Sequence, residues 1–472
     1  MDPSLIAPPS KNLPEPATRQ LPAAVPMRRM LGPGVILLGL SIGSGEFMLW
    51  PSLVSKWGLV IFWAAALGVA IQFVLNMEIE RYTLATGESA VTGFFRLSRV
   101  FGPVFLVCGI VPWIWPGWAT GSATLLTWEI DGAAGGGSSV AAYAIGGLVS
   151  CGLVLSIGPV VYRTVELVQV GLVSLIFVLA VTLAILVVRM DSLVALVEGT
   201  FNFGHIPDGI LLGALAFAGA GGTANLAQSN YIKDKGYGMG HYIGRITSPL
   251  TGREERISEV GYVFDDRPEN LARWCVWWRR ANIEHGVSFF ALCLLSLALF
   301  CSIIHALLGD TPIMGESMEF LSAEADTIEA KLGVSGRHLF VWIGIIVLLT
   351  TEVGILDAVT RVVVDLLVVM FLRGVERWTW IYFVVLWSLV GFGVIVLVAG
   401  WDKPMQLLVL SASLNAFVMF LYSGLLLWLG CTSFQRPVRP SRLRIAALLF
   451  SLSFFGYFSF LTLQSELPKL FG

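Results

Sequence analysis

The residues with the most chemistry to offer sit in one short apolar stretch, Gly39-Leu40-Ser41-Ile42-Gly43-Ser44-Gly45-Glu46-Phe47. Three glycines and two serines among residues 39–45 make a weak helix interior, since each Gly costs about 1 kcal/mol relative to Ala. Glu46 adds an acid in the middle of a segment long enough to cross a bilayer, at about 3 kcal/mol on insertion scales. A second apolar segment repeats the pattern far downstream, Gly219-Ala220-Gly221-Gly222-Thr223-Ala224-Asn225-Leu226-Ala227-Gln228. Backbone leaves the helix at membrane depth only where protein or a water-filled cavity satisfies its polar groups. Two interrupted segments at matching places in two halves of a chain point to a binding site between them. We therefore expect Gly43, Ser44, Gly45 and Glu46 to face Gly222, Thr223, Asn225 and Gln228 across a site.

The elements that position these residues follow from composition. The chain has 472 residues, 56% hydrophobic and 13% charged, with a mean hydropathy of +0.79. Soluble proteins carry about 25% charged residues, so this is an all-α polytopic membrane protein with the lipid bilayer as its first partner. About 20 apolar residues span a bilayer. Eleven such segments run at 31–55, 58–80, 102–127, 139–159, 165–188, 209–231, 286–308, 339–371, 379–400, 404–430 and 443–463. Lys and Arg alternate sharply between the two sides. One side takes Lys11 to Arg29, Arg81, Arg96, Arg99, Arg163, nine basic residues from Lys233 to Arg280, Arg373, Arg377, and Arg436 to Arg444. The other takes only Lys56, Arg189, Lys331, Arg337, Lys403 and Lys469. Positive residues mark the cytoplasm, which places the N-terminus inside and the C-terminus outside the cell membrane.

Residues 1–30 are polar and Pro-rich without an apolar signal core, and read as a disordered cytoplasmic tail. The cysteines show no metal-ligand spacing and read as small buried hydrophobes. The five histidines fall at or outside span ends, which argues against a histidine-built metal site. Gly39-Leu40-Ser41-Ile42-Gly43 matches the nucleophile elbow of hydrolases, but that motif needs a strand–turn–helix setting and a histidine partner. No ATP-binding motif, resident cofactor or nucleic-acid signature is present, and the chain reads as a non-enzyme.

Two roles fit Glu46: binding a cation or coupled proton, or pairing with a buried Arg or capping a half-helix. Ser44, Thr223, Asn225 and Gln228 add hard oxygen ligands, which suit Mg²⁺ or Ca²⁺ better than Fe²⁺, Mn²⁺ or Zn²⁺. Glu46 and Asn225 are the metal-ligand candidates within this set. In the eighth span, Glu352, Asp357, Arg361 and Asp365 supply charges at membrane depth. The last three recur at intervals of four and share nearly one helix face. They form either a static ion-pair ladder or a coupling and gating network. Gln72, Asn76 and Glu80 make a similar stripe in the second span, read as packing. The stretch Pro112-Trp113-Ile114-Trp115-Pro116-Gly117-Trp118 reads as a kinked packing segment or the lining of a path.

Several motifs resemble the Nramp family of divalent-metal transporters. The first span opens Gly32-Pro33-Gly34, the second closes Arg81-Tyr82-Thr83-Leu84-Ala85-Thr86-Gly87, and the fifth opens Tyr162-Arg163-Thr164-Val165-Glu166. The resemblance implies a LeuT-like 5+5 inverted repeat with discontinuous helices 1 and 6. Residues 31–200 would form the first repeat and 209–430 the second, with a cytoplasmic loop at 233–285 and a peripheral span at 443–463. It implies a secondary active transporter of a small cation, a divalent metal above all, with proton coupling as a family-level expectation. The alternatives are a carrier of an organic solute or other ion, and a sensor or scaffold that kept the fold. The family's Asp-Pro-Gly-Asn is replaced here by Gly43-Ser44-Gly45-Glu46, and its Met-Pro-His by Gly222-Thr223-Ala224. The metal-binding Asp, the thioether and the histidine are thus missing.

Overall fold

Apolar helices long enough to cross a membrane account for most of the chain. The computed structural model describes residues 5–131, 139–204, 208–248, 252, 255–309, 318–401 and 403–471. Among them, nine helices have the length and composition of membrane spans. Two further crossings are split into shorter helices, Phe101–Ile110 with Gly117–Asp131 and Asp208–Ala216 with Gly222–Asp234. With these two split pairs, helices cover each of the eleven expected apolar segments. They make a multi-pass membrane protein, numbered here span 1 (Pro33–Trp57), 2 (Leu59–Thr86), 3 (split), 4 (Val140–Ile157), 5 (Val161–Val187), 6 (split), 7 (Pro268–Leu308), 8 (Val334–Met370), 9 (Trp378–Val398), 10 (Pro404–Ser433) and 11 (from Arg442).

Span 1 departs from expectation. It is not interrupted. Over Ile42–Leu49 it widens into a π-helix, closing with Trp50 N–H on the Gly45 carbonyl. Thr351 of span 8 stitches the change of winding: its hydroxyl accepts from Gly43 N–H at 3.0 Å and donates to the Gly39 carbonyl at 2.9 Å. The wider helix plus one inserted hydroxyl keeps these backbone groups satisfied, so the glycines loosen the helix without breaking it.

Span 6 does break, over Phe217–Gly221. Gly221 and Gly222 sit at φ +74° and +47°, a region glycine enters without steric cost. One side chain of span 2 satisfies both ends of the break. Gln72 Nε2 donates to the Leu215 and Ala216 carbonyls at 3.1 and 3.0 Å, and Gln72 Oε1 accepts from Gly221 N–H at 3.0 Å. Span 3 breaks at the Trp-Pro stretch, a kink the sequence marks with Pro112 and Pro116.

The expected disordered tail is instead a strap over the N-terminal face. Ala17–Thr18 pairs in parallel with Tyr262–Val263. Arg96 donates to the Pro9, Leu13 and Pro14 carbonyls, and Arg280 to those of Ala24 and Val25. A polar, Pro-rich segment lacks helix-forming periodicity, yet its backbone carbonyls are good acceptors for buried arginines. Leu13 and Leu21 supply apolar anchors. On the opposite face, Glu319–Leu332 forms a helix against spans 7 and 8. The acidic residues Asp310 and Glu316 of that loop lie outside the described residues.

The motifs shared with the Nramp family serve joints on the N-terminal face. Gly34 leaves room for the Ser288 hydroxyl and for Glu284, which accepts from the Gly32 and Gly34 N–H groups. An acid from span 7 thereby caps the first helix, where free N–H groups and the helix dipole favour a carboxylate. Glu166 pairs with Lys235 at the end of span 6. Gly87 closes span 2 in the left-handed conformation, with its N–H on the Thr83 carbonyl at 2.7 Å.

Candidate substrate and ion site

Glu46 is fully buried in the π-helical run. Its Oε1 accepts from the Ser41 hydroxyl at 2.5 Å, while Oε2 has no hydrogen-bond partner. Ser296 and Cys293 of span 7 face the same carboxyl, and Ser41 lies 3.6 Å from Cys293 Sγ. No ion pair to Glu46 occurs among the described residues. An ionised carboxylate without a counter-charge is too costly to keep in an apolar interior. Glu46 therefore has neither the Arg partner nor the helix-cap hydrogen bond that a structural role would show among the described residues.

The expected site residues divide into two neighbourhoods. Gly45 touches span 6, since a Cβ there would collide with the Phe217 carbonyl, and Gly43 packs against Thr351 and the Val347 carbonyl. The side chain of Ser44 lies outside the described residues. Glu46 turns towards span 7. Asn225 belongs elsewhere: its Nδ2 donates to Gln72 Oε1 at 3.2 Å and to the Tyr422 hydroxyl at 3.1 Å. Gln228 Nε2 donates to Glu80 at 3.2 Å. Thr223 donates to the Cys108 carbonyl and accepts from Trp113 Nε1, both at 2.9 Å. A Cβ on Gly222 would fall on Asn415 Oδ1. Glu46 and Asn225 thus engage different partners, and no group of three His, Cys, Asp or Glu suited to a metal occurs among the described residues. Trp113 is stacked on Trp118 and Phe217 at 5.6 and 5.9 Å beside the break in span 6.

The span 8 charges also divide. Glu352 accepts from Ala119 N–H of span 3 at 3.2 Å. Asp357 holds Arg361 within the helix at 2.8 and 2.9 Å, and Asp357 also accepts from the Tyr382 hydroxyl at 2.6 Å. The other face of Arg361 pairs with Asp234 of span 6. Asp365 takes Lys233 of span 6 at 2.7 Å, in place of the Arg361 partner that helix spacing suggests. The intrahelical ladder is thus a double clasp between span 8 and the inner half of span 6. Sequence spacing finds the span 8 residues but misses Lys233 and Asp234, because nothing along the chain says which loop-end charges reach back into the bundle. It also places His285 at a span end, whereas the ring is fully buried between Phe73 and Phe289.

Beyond Glu46, towards the opposite face, a cavity of about 440 Å³ separates the ends of spans 1, 6 and 10. Leu49, Ser52, Leu53, Gly213, Met405 and Ser413 line it, with Lys56 at its edge. The ion pairs between spans 6 and 8 lie on the N-terminal face, and this cavity lies at the opposite ends of spans 1, 6 and 10.

The fold occurs in a solved transporter. Two variants of the Eremococcus coleocola manganese transporter superpose with TM-scores of 0.67 and 0.68 at 12% identity, covering 97% of this chain and 91% of theirs. The chain has the fold of that manganese transporter. The Nramp-like resemblance read from short motifs therefore extends over the whole architecture. A nucleobase-cation-symport-1 family transporter aligns with a TM-score of 0.49, too low to add to this. No protein-family model matches the sequence, nor does any curated protein.

Close packing at the crossing of spans 1 and 6 makes a direct expectation. Gly45→Ala forces the new methyl group onto the Phe217 carbonyl and should cost about 1–3 kcal/mol of stability, the usual range for overpacking. Gly171→Ala, on a helix with open space around it, should be neutral or slightly stabilising. Thermal unfolding of the two variants in one detergent checks the difference.

Proposed function

We propose that this protein is a secondary active transporter that moves a small cation by alternating access. Glu46 is its central ligand, and the inner half of span 6 is its moving gate. The single observation that carries this reading is a fully buried carboxylate with one open oxygen, in a π-helical run midway through span 1, within a transporter fold. The hydroxyls of Ser41 and Ser296 add hard oxygen donors beside the one thiol of Cys293. Mg²⁺ with part of its water shell suits such a set better than Mn²⁺ or Fe²⁺, since the family's thioether and imidazole have no counterpart at Gly222-Thr223-Ala224. Spans 1–5 and 6–10 act as the two inverted repeats, and the basic N-terminal face is cytoplasmic. The clasp of Arg361, Asp234, Lys233 and Asp365 then holds the cytoplasmic side closed.

The test is uptake into proteoliposomes of Mg²⁺, Mn²⁺, Ca²⁺ and Na⁺, each with and without a proton gradient. Saturable uptake of one cation, competed by its congeners, is expected. Absence of uptake for all four would sink the cation reading. It would favour the second reading, carriage of an organic solute, for which the cavity of about 440 Å³ with a largely apolar lining is the supporting feature.

A further inference from the structure

Spans 2 and 6 face each other through two polar rungs. The upper rung joins Gln72 to Asn225 at 3.2 Å, and the lower joins Glu80 to Gln228 at 3.2 Å. Gln72 and Glu80 lie two helical turns apart on one face, about 12 Å along the axis. Asn76 sits midway between them, about 6 Å from either. Asn76 is fully buried, and neither its Oδ1 nor its Nδ2 has a partner. Gln228 Oε1 and Asn225 Oδ1, both fully buried, are also open. Glu80 is 2% exposed and makes no ion pair among the described residues. The charged groups within its electrostatic reach are Glu284 of span 7, which repels a second negative charge, and Arg444 of span 11. Arg444 is committed to Glu78 at 3.1 Å and Asn282 at 2.5 Å.

We propose that Glu80, Asn76, Gln228 and Asn225 form a binding site for a monovalent metal cation of sodium size, the ion that drives transport. The donor set carries one negative charge and up to three neutral amide oxygens, so a single positive charge leaves it neutral. A proton on Glu80 would let its O–H donate to one amide oxygen and leave the other two unpaired. A metal cation takes all of them together, and hard amide and carboxylate oxygens suit it. The site bridges span 2 to the inner half of span 6, the element clasped by span 8. Ion release on the N-terminal face is thereby tied to opening of the clasp. The proposal rests on the transporter reading for its role in coupling, but not for the existence of the site.

The experiment is a thermal-unfolding and tryptophan-fluorescence titration of the purified full-length protein with NaCl, at ionic strength held constant with choline chloride. Wild type should give a saturable sodium response. Glu80→Gln should weaken sodium affinity at least tenfold, and Glu46→Gln should keep the response. Gln228→Glu, which adds a second carboxylate, should pass the response to Ca²⁺. No sodium response in wild type, or an equal response in Glu80→Gln, overturns the site. Uptake of the substrate cation without a sodium response would overturn the site while leaving the transporter reading intact.

Discussion

Glu46→Gln is expected to lower cation uptake at least 100-fold, about 2.8 kcal/mol of lost binding, and to leave the protein folded. The two effects part because of what surrounds the carboxyl. Glutamine keeps an oxygen that can accept from Ser41, so the one hydrogen bond at 2.5 Å has a successor. Removing one member of a buried ion pair is costly because the partner charge is stranded. Glu46 has no such partner among the described residues, so its unfolding midpoint should hold or rise. A purely structural acid would behave in the opposite way, with transport following stability. Uptake in proteoliposomes and thermal unfolding on the same preparation separate the cases. Full uptake by the glutamine variant would remove Glu46 from the site.

Much of this arrangement is legible along the chain, and the part that is not has a physical reason. The crossings follow from apolar length alone, because no other element satisfies its backbone in lipid. Positions 43–46 and 219–221 are marked by glycine, and both depart from α-helix in the structure. Their outcomes differ because the interruptions are satisfied from outside. Thr351 inserts into span 1 and holds it as a π-helix, whereas Gln72 caps both ends of a true break in span 6. Neither helper is visible from within the interrupted segment. The direction of Glu46 is hidden for the same cause: widening the helix rotates the side chain away from span 6 towards Ser296 and Cys293. The strap of residues 5–30 defeats compositional reasoning. Its order is conferred by arginines donated from elsewhere in the chain, Arg96, Arg273 and Arg280. The motifs that resemble the Nramp family, Gly32-Pro33-Gly34 and Tyr162 to Glu166, proved to be joints between spans. They hold the spans together, and the residues of the proposed site lie between them.

The clasp between spans 6 and 8 carries the second large effect. Arg361 is fully buried, with Asp357 on its own helix and Asp234 across the gap. Arg361→Ala strands two buried acids at once and should cost about 3–5 kcal/mol, the range for breaking a buried ion pair. Asp234→Asn is different in kind. Asp357 still neutralises Arg361, so the fold survives, but the bond between the moving helix and its neighbour is weakened. Lys233–Asp365 and Lys235–Glu166 then remain as the ion pairs at the end of span 6. The balance should shift towards a state open on the N-terminal face. A cysteine placed at Ala227, buried in the inner half of span 6, reports this through its alkylation by a membrane-impermeant reagent. Against the same cysteine variant with Asp234 intact, the rate should rise about tenfold, the equivalent of about 1.4 kcal/mol in the opening equilibrium. The ion pairs would be a static brace if Asp234→Asn instead lowered stability as far as Arg361→Ala and left the alkylation rate unchanged. A gate and a brace use the same charges. Only in a gate does the pair within one helix persist while the pair between helices is made and broken in each cycle.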